Sequence, residues 1–145
     1  MGKNRTSPDA IYERIADEFE RDFYVTSAML QPRNIAVLDA LASIHSRSGE
    51  FEQALSCNRR LLELRPRDPR FLYNLACSLC CLGRASEGLQ ALEQAIEAGF
   101  QNYEFLAKDP DLAALHSRPE FDLYRRRALA QKTRRLMRES ARNKD

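Results

Sequence analysis

Apolar positions along this chain recur at helical spacing and nowhere alternate at strand spacing over a useful length. Ile11, Ile15, Phe19 and Phe23 follow one another at four-residue steps, which places them on one face of a helix over about 8–23. Ser7 followed by Pro8 reads as an N-cap with proline at the first helical position. Tyr24-Val-Thr is expected to break or bend that helix, and Ala28, Met29 and Leu30 read as a helical tail before Pro32. Behind Asn34 as N-cap, Leu38, Leu41, Ala42 and His45 share one side of a helix over about 35–48. Ser48-Gly49-Glu50 is a tight turn. Phe51, Ala54, Leu55, Asn58, Leu61 and Leu62 then form the inner face of a return helix over about 51–64. Pro66 ends the unit, because it disfavours helix at Arg65.

The same order of features returns 34 residues later: Leu38 as Leu72, Leu41 as Leu75, Ala42 as Ala76, Gly49 as Gly83, Leu55 as Leu89 and Leu62 as Ile96. Asp68 takes the N-cap with Pro69 behind it, and Leu72, Leu75, Ala76 and Leu79 line the inner face. After Gly83, a return helix over about 85–98 buries Gly88, Leu89, Leu92, Ala95 and Ile96, and Gly99 closes it. Small residues at Ala42, Ala54, Ala76, Gly88 and Ala95 let helices approach closely. Past Gly99 the period is lost. Phe100, Tyr103, Phe105 and Leu106 make an aromatic-rich patch. Asp109-Pro110 opens a short helical turn with Leu112 and Leu115. Ser117 with Glu120 reads as a capping box for a last helix over about 118–139, with Phe121, Tyr124, Ala128 and Leu136 available for packing.

A 34-residue period built of paired helices is the mark of a stacking repeat, and the residues resemble the tetratricopeptide repeat family. Leu41-Ala42, Gly49, Ala54 and Pro66 match that family's pattern in the first unit, and Leu75-Ala76, Gly83 and Ala95 match it in the second. The stretch from Ala95-Ile-Glu-Ala-Gly-Phe through Asp109-Pro-Asp-Leu to Pro119-Glu-Phe resembles the module that closes short members. His45, Asn58 and Gly88 depart from the pattern. The expected fold is all-α, an α-α superhelix of tetratricopeptide-like hairpins with an N-terminal capping helix and a basic C-terminal helix. Its parts are a tail and capping helix at 1–34, repeats at 35–68 and 69–102, a closing module and final helix at 103–139, and a frayed tail at 140–145, all in one domain.

The resemblance implies a concave groove lined by the first helix of each pair. Asp39, Ala40, Ser43 and Arg47 would lie there, followed by Arg70, Tyr73, Asn74, Cys77 and Cys81. Asn74 stands where the family often uses an amide to grip a peptide backbone, a task that suits a group able both to donate and to accept. Arg47 and Arg70 would meet carboxylates. The clamp that binds acidic chaperone tails is incomplete, since Asp39 stands where a Lys is expected and Cys77 where an Asn is. The expected function is therefore non-catalytic protein binding, as an adaptor or assembly factor, with a peptide or partner helix gripped by Arg47, Arg70, Tyr73, Asn74 and Cys77. Two repeats make a short groove, which a homodimer would lengthen.

Charge adds a second reading. The net charge is +2 over 145 residues, but residues 118–145 carry 10 basic against 4 acidic residues, while 35–117 carry 8 against 11 and 1–34 carry 5 against 6. Arg125, Arg126, Arg127, Lys132, Arg134, Arg135 and Arg138 form a basic arm that suits phosphates of nucleic acid or an anionic membrane. This reading ranks second, because only Phe121 and Tyr124 lie near the charges to stack on bases; the plainer reading is a solvated face. A thiol metal or redox site ranks lower. Cys77-x-x-Cys80 has the spacing of two zinc ligands but no second pair, and Cys57 and Cys81 complete no set. Neither His45 nor His116 has a partner at a telling spacing, and no phosphate loop or nucleophile motif occurs. No enzymatic activity, cofactor or metal is expected. The start of the chain lacks a secretory apolar segment, no stretch is long enough to span a bilayer, and a cytoplasmic location is expected. Gly2 with Thr6 matches a loose myristoylation pattern, for which an ordinary N-terminus is the preferred reading.

Overall fold

A computed structural model describes residues 7–143. The Gly2–Thr6 pattern and the last two residues of the tail lie outside the described residues. Among those described, the secondary structure is helical throughout, without strands. The helices are α1 (Pro8–Leu30), α2 (Ile35–Arg47), α3 (Phe51–Leu64), α4 (Pro69–Cys81), α5 (Ala85–Glu97), α6 (Tyr103–Leu106) and α7 (Pro119–Arg142), with a 3-10 turn at Pro110–Leu115 between the last two. The contacts group the chain into two compact units that divide between Leu64 and Arg65, at the proline-marked end of the first hairpin.

The helix starts follow the capping chemistry. Asn34 accepts from the Val37 amide at 3.2 Å. Asp68 accepts from the Arg70 and Phe71 amides at 3.0 and 3.2 Å. Ser7 accepts from Ala10 at 3.3 Å. Each supplies an acceptor to an amide that the helix itself leaves unpaired. The final helix differs from expectation: its N-cap is Arg118, with no side-chain cap bond, so Ser117 and Glu120 form no capping box. It also continues to Arg142, through residues expected to fray.

The hairpin turns share one geometry. Gly49 and Gly83 have φ of 74° and 76°, and a doubled hydrogen bond closes each turn. In the first, the Glu50 amide donates to the His45 carbonyl at 2.8 Å and the Gly49 amide to Ser46 at 3.1 Å; in the second, Arg84 donates to Leu79 at 2.9 Å and Gly83 to Cys80 at 3.0 Å. This pairing satisfies helix-end carbonyls through a left-handed residue, which glycine adopts without a Cβ penalty.

In the first unit, α2 and α3 form an antiparallel pair around Leu38, Leu41, Ala54, Leu55 and Leu61, all buried. The α3 residue Arg60 donates to the Pro32 carbonyl at 2.9 Å, tying the hairpin's ends together. α1 is one continuous helix: Tyr24-Val-Thr neither breaks nor ends it. Its apolar stripe does not face α2. Ile11, Ile15, Phe19 and Phe23 face outward, with Phe19 73% exposed. The helix meets α2 through its opposite face, where Ala28 is its buried residue, Arg21 bonds Glu50 and Ser48, and Glu20 pairs with Arg47 at 3.3 Å.

In the second unit, α4 and α5 pair around Phe71, Leu72, Ala76, Leu79, Leu92 and Ala95. They approach closely at Gly88, where an added Cβ would lie 2.5 Å from Cys80 Sγ and 3.2 Å from the Ala76 carbonyl oxygen. Gly88, a departure from the repeat pattern, thus leaves room for the Cys80 side chain between the two helices. α7 packs on α5 and α6 through Phe121 and Ala128. Leu136, expected to pack, is exposed, as is every residue from 129 to 143.

Gly88→Ala is expected to lower the stability of the second unit by about 1 kcal/mol, because overpacking of about 1–3 kcal/mol outweighs about 1 kcal/mol of gained helix propensity. Adding Cys80→Ala, which removes the clashing sulfur, should recover part of the loss in chemical denaturation. A Gly88→Ala protein as stable as the parent would contradict this packing.

Candidate functional site

The second unit contains a buried polar cluster that the sequence pattern did not show as a cluster. Asp109, 5% exposed, precedes the 3-10 turn and caps it by accepting from the Asp111 amide at 3.0 Å. The other carboxylate oxygen accepts from the Tyr73 hydroxyl and from the Cys77 thiol at 3.7 Å. Phe100 stacks on the Tyr73 ring, 4.3 Å between centroids and 6° from parallel. Cys81 donates to the Asp111 carbonyl at 3.8 Å. The 3-10 turn therefore lies on α4, with Leu112 and Leu115 fully buried beneath it.

This packing decides where the expected groove residues stand. Tyr73 is 7% exposed and its hydroxyl is committed to Asp109; Cys77 is committed to the same carboxylate, and Cys81 lies under the turn. The chain's own residues 109–115 occupy that face of α4, so Tyr73 and Cys77 do not line an open surface. The reason is chemical: a buried carboxylate needs donors, and these two side chains are the donors the fold supplies. Arg70 stays exposed, with its guanidinium 4.8 Å from the Phe71 ring centre. Asn74 is half-buried. In the first unit, Ser43 and Arg47 are exposed, Asp39 and Ala40 are half-buried, and Arg47 pairs with Glu20 of α1.

The histidines have partners that linear spacing did not reveal. His45 is buried and its Nδ1 lies 2.6 Å from Glu50 Oε2. The contact spans the Gly49 turn, so it appears only once the turn's geometry is known. The bonds from His45 and then from Arg21 hold the Glu50 carboxyl below its ordinary range. His116 lies 3.1 Å from the Leu106 carbonyl and packs against Phe121.

The four thiols are poor nucleophiles in this setting. Burial, reinforced by nearby carboxylates, raises Cys77 well above the ordinary thiol range and pushes Cys81 to about 12. Burial also pushes Cys80 up to about 11 and raises Cys57, in both cases despite a nearby arginine. Reactive and metal-binding cysteines need the opposite shift. Among the described residues, no group of three or more His, Cys, Asp or Glu side chains is placed to hold a metal ion.

The basic arm is a stretch of α7 whose basic side chains are distributed around the helix and are largely matched. Arg125 and Arg126 pair with Asp122 at 3.0 and 2.8 Å. Arg127 pairs with Glu93 at 3.6 Å, Lys132 with Glu104 at 3.9 Å and Arg135 with Glu139 at 2.7 Å. Arg134 and Arg138 stand exposed. Among the described residues, no helix is long and apolar enough to cross a membrane.

No protein-family model matches the chain. One curated relative, a chloroplastic protein of Arabidopsis thaliana, is similar over part of it, with 32% identity over 80 residues, which is 53% of this chain. The match covers 24% of that protein, so the shared region is about a quarter of the relative's length.

Removing the Asp109 carboxylate with Asp109→Ala is expected to cost about 2–3 kcal/mol, since it orphans a buried hydroxyl and a helix cap together. Tyr73→Phe should cost about 1 kcal/mol. The double variant should lose less than the two single losses combined, by about 1 kcal/mol. Denaturant titration of the four proteins measures this; strict additivity would mean that the two groups do not act on one another.

Proposed function

We propose that this chain is a non-catalytic protein-interaction module of the tetratricopeptide type, acting as an adaptor or assembly factor. The observation that carries the reading is the recurrence of one turn. Gly49 and Gly83 stand 34 residues apart with nearly the same φ, and each closes a helical hairpin with the same doubled hydrogen bond. Repeats of this kind present helix faces to other proteins rather than housing chemistry, and the raised thiols give no support to a nucleophilic alternative. The partner-gripping set is narrower than the sequence pattern implied. On α4 it rests on Arg70 and Asn74, which flank the face filled by residues 109–115; on α2 it rests on Arg47. An Asn amide and an Arg guanidinium together suit the backbone and acidic side chains of an extended segment. The matched charges of α7 weigh against nucleic acid as the main partner. The cytoplasmic setting belongs to the same proposal, and the relative's chloroplastic name supplies the compartment that imaging of a tagged chain has to exclude.

Capture of partners from the native host by the tagged chain, compared with an Asn74→Ala, Arg70→Ala double variant, tests the assignment. The variant should retain its helical circular dichroism and lose at least about tenfold of the specific capture, as expected when hydrogen-bonding anchors are truncated. Undiminished capture by a folded double variant would remove these residues from the binding surface.

A further inference from the structure

Helix α1 leaves one apolar face uncovered. Tyr12, Ile15, Phe19, Phe23 and Leu30 follow one another at steps of 3, 4, 4 and 7 residues. At about 100° per residue they fall within about 80° of the helix circumference, in line over about five turns and about 27 Å. All five are more than half exposed, with Phe19 at 73% and Leu30 at 77%. Thr26 is the one polar side chain inside that arc. The stripe lies opposite buried Ala28, so none of it is spent on α2. Every residue from 11 to 20 is exposed. That half of the helix has no apolar burial of its own, and a segment of its length is marginal alone in water. Large apolar side chains gathered into one patch, unlike singly scattered ones, mark a contact surface.

Charge decides what can cover it. Asp22 and Glu18 border one edge of the stripe, and Asp9, Glu20 and Glu13 border the other. α1 carries six acidic residues against Arg14 and Arg21, a helix net of −4. Glu18 lies 3.9 Å from Arg14, and Glu20 lies 3.3 Å from Arg47. Arg21 is turned away to Glu50. Glu13 and Asp22 make no ion pair among the described residues, so each edge keeps a carboxylate for whatever enters. A second α1 would set carboxylates against carboxylates on both sides of the seam. A helix that lies on a membrane carries Lys and Arg beside its apolar face to meet anionic lipid, the reverse of what α1 presents. The complement is an apolar face edged with Lys and Arg. A helix supplies that face in the right form, because the stripe is a straight ridge with anchors at helical steps.

We infer that the exposed stripe of α1 docks a basic amphipathic helix of another protein. The partner helix runs along about five turns of α1, covers Phe19, Phe23 and their neighbours with its apolar face, and sets Lys or Arg beside Glu13 and Asp22. Docking gives residues 11–20 the apolar burial that the chain itself does not supply. This surface is separate from Arg70 and Asn74 and does not depend on them.

Two synthetic peptides of about five helical turns test the inference. Both carry Leu at 3- and 4-residue steps; one flanks the Leu face with Lys and Arg, the other with Glu. Fluorescence anisotropy of each labelled peptide, titrated with the full chain, reads the affinity. The basic peptide should bind, the acidic peptide at least about tenfold more weakly, and the basic affinity should fall about tenfold between about 50 mM and about 500 mM salt as edge charges are screened. Hydrogen exchange of amides 11–20 should slow at least about tenfold with the basic peptide bound. Phe19→Glu should weaken binding at least about tenfold with helicity intact, because its side chain is exposed. A Glu13→Lys, Asp22→Lys variant should reverse the preference between the peptides. It keeps its helix, since each new lysine stands four residues from an acidic one. No binding of the basic peptide, equal binding of the two, or protection that falls outside α1 overturns the inference. Self-association of the parent chain, or its binding to anionic vesicles, would give the stripe to a second copy or to a membrane if Phe19→Glu abolished it, and either result also overturns the inference.

Discussion

Both hairpins reverse direction through a single residue held at positive φ, and the rest of the structure depends on that reversal. A helix ends with unpaired carbonyls. Here each first helix hands its last carbonyls to the next two amides along the chain, and only a left-handed residue can point those amides back. Once Gly49 and Gly83 make the turn, the apolar faces of α2 and α3, and of α4 and α5, meet without further instruction. The repeat of the turn at a fixed interval is also what makes the two hairpins copies of one design. The asymmetry between them comes from the residue just after each glycine. Glu50 reaches back to His45 and is met by Arg21 of α1, whereas Arg84 in the matching position bonds Glu87 on its own helix.

The second hairpin is finished by a different interaction. Asp109 stands at the head of a short 3-10 turn and gathers Tyr73, Cys77 and the Asp111 amide around one carboxylate. Burial of Leu112 and Leu115 carries the apolar share of this closure, at about 1.5–3 kcal/mol per side chain, and the polar bonds fix its register. The consequence for function is direct. A face of α4 that would otherwise be open is filled by the chain itself, so the proposed binding surface is confined to the residues at its margin. Burial in the same unit raises the Cys77, Cys80 and Cys81 thiols above their ordinary range.

Helix positions were legible because they rest on local chemistry: Asn34, Asp68 and Pro69 mark starts, and Gly49 and Gly83 mark ends. What periodicity could not supply was the direction of a face. Ile15 and Phe19 have the spacing of a buried stripe, yet α1 uses Ala28 and Arg21 to reach its neighbour, and apolar spacing is silent on which side a partner lies. The repeat pattern puts Tyr73 among the groove positions of α4, whereas its burial against Asp109 depends on a loop 36 residues away. His45 and Glu50 were hidden for a similar reason, since their spacing becomes meaningful only when the turn between them is known. The capping box at Ser117 and Glu120 was a pattern match that lost to a helix beginning at Pro119, one residue beyond Arg118.

The two turn glycines offer the most direct test. An added Cβ at either would meet nothing within 4 Å, so substitution there reports backbone conformation alone. Denaturant unfolding of Gly49→Ala and Gly83→Ala, each alongside the corresponding Gly→Asn, measures this. The alanine variants should each lose about 1–2 kcal/mol while keeping their helical content, and the asparagine variants should lose clearly less, because Asn tolerates the left-handed region. Alanine variants as stable as the parent, or asparagine variants no better than alanine, would contradict the hairpin geometry on which everything else is built.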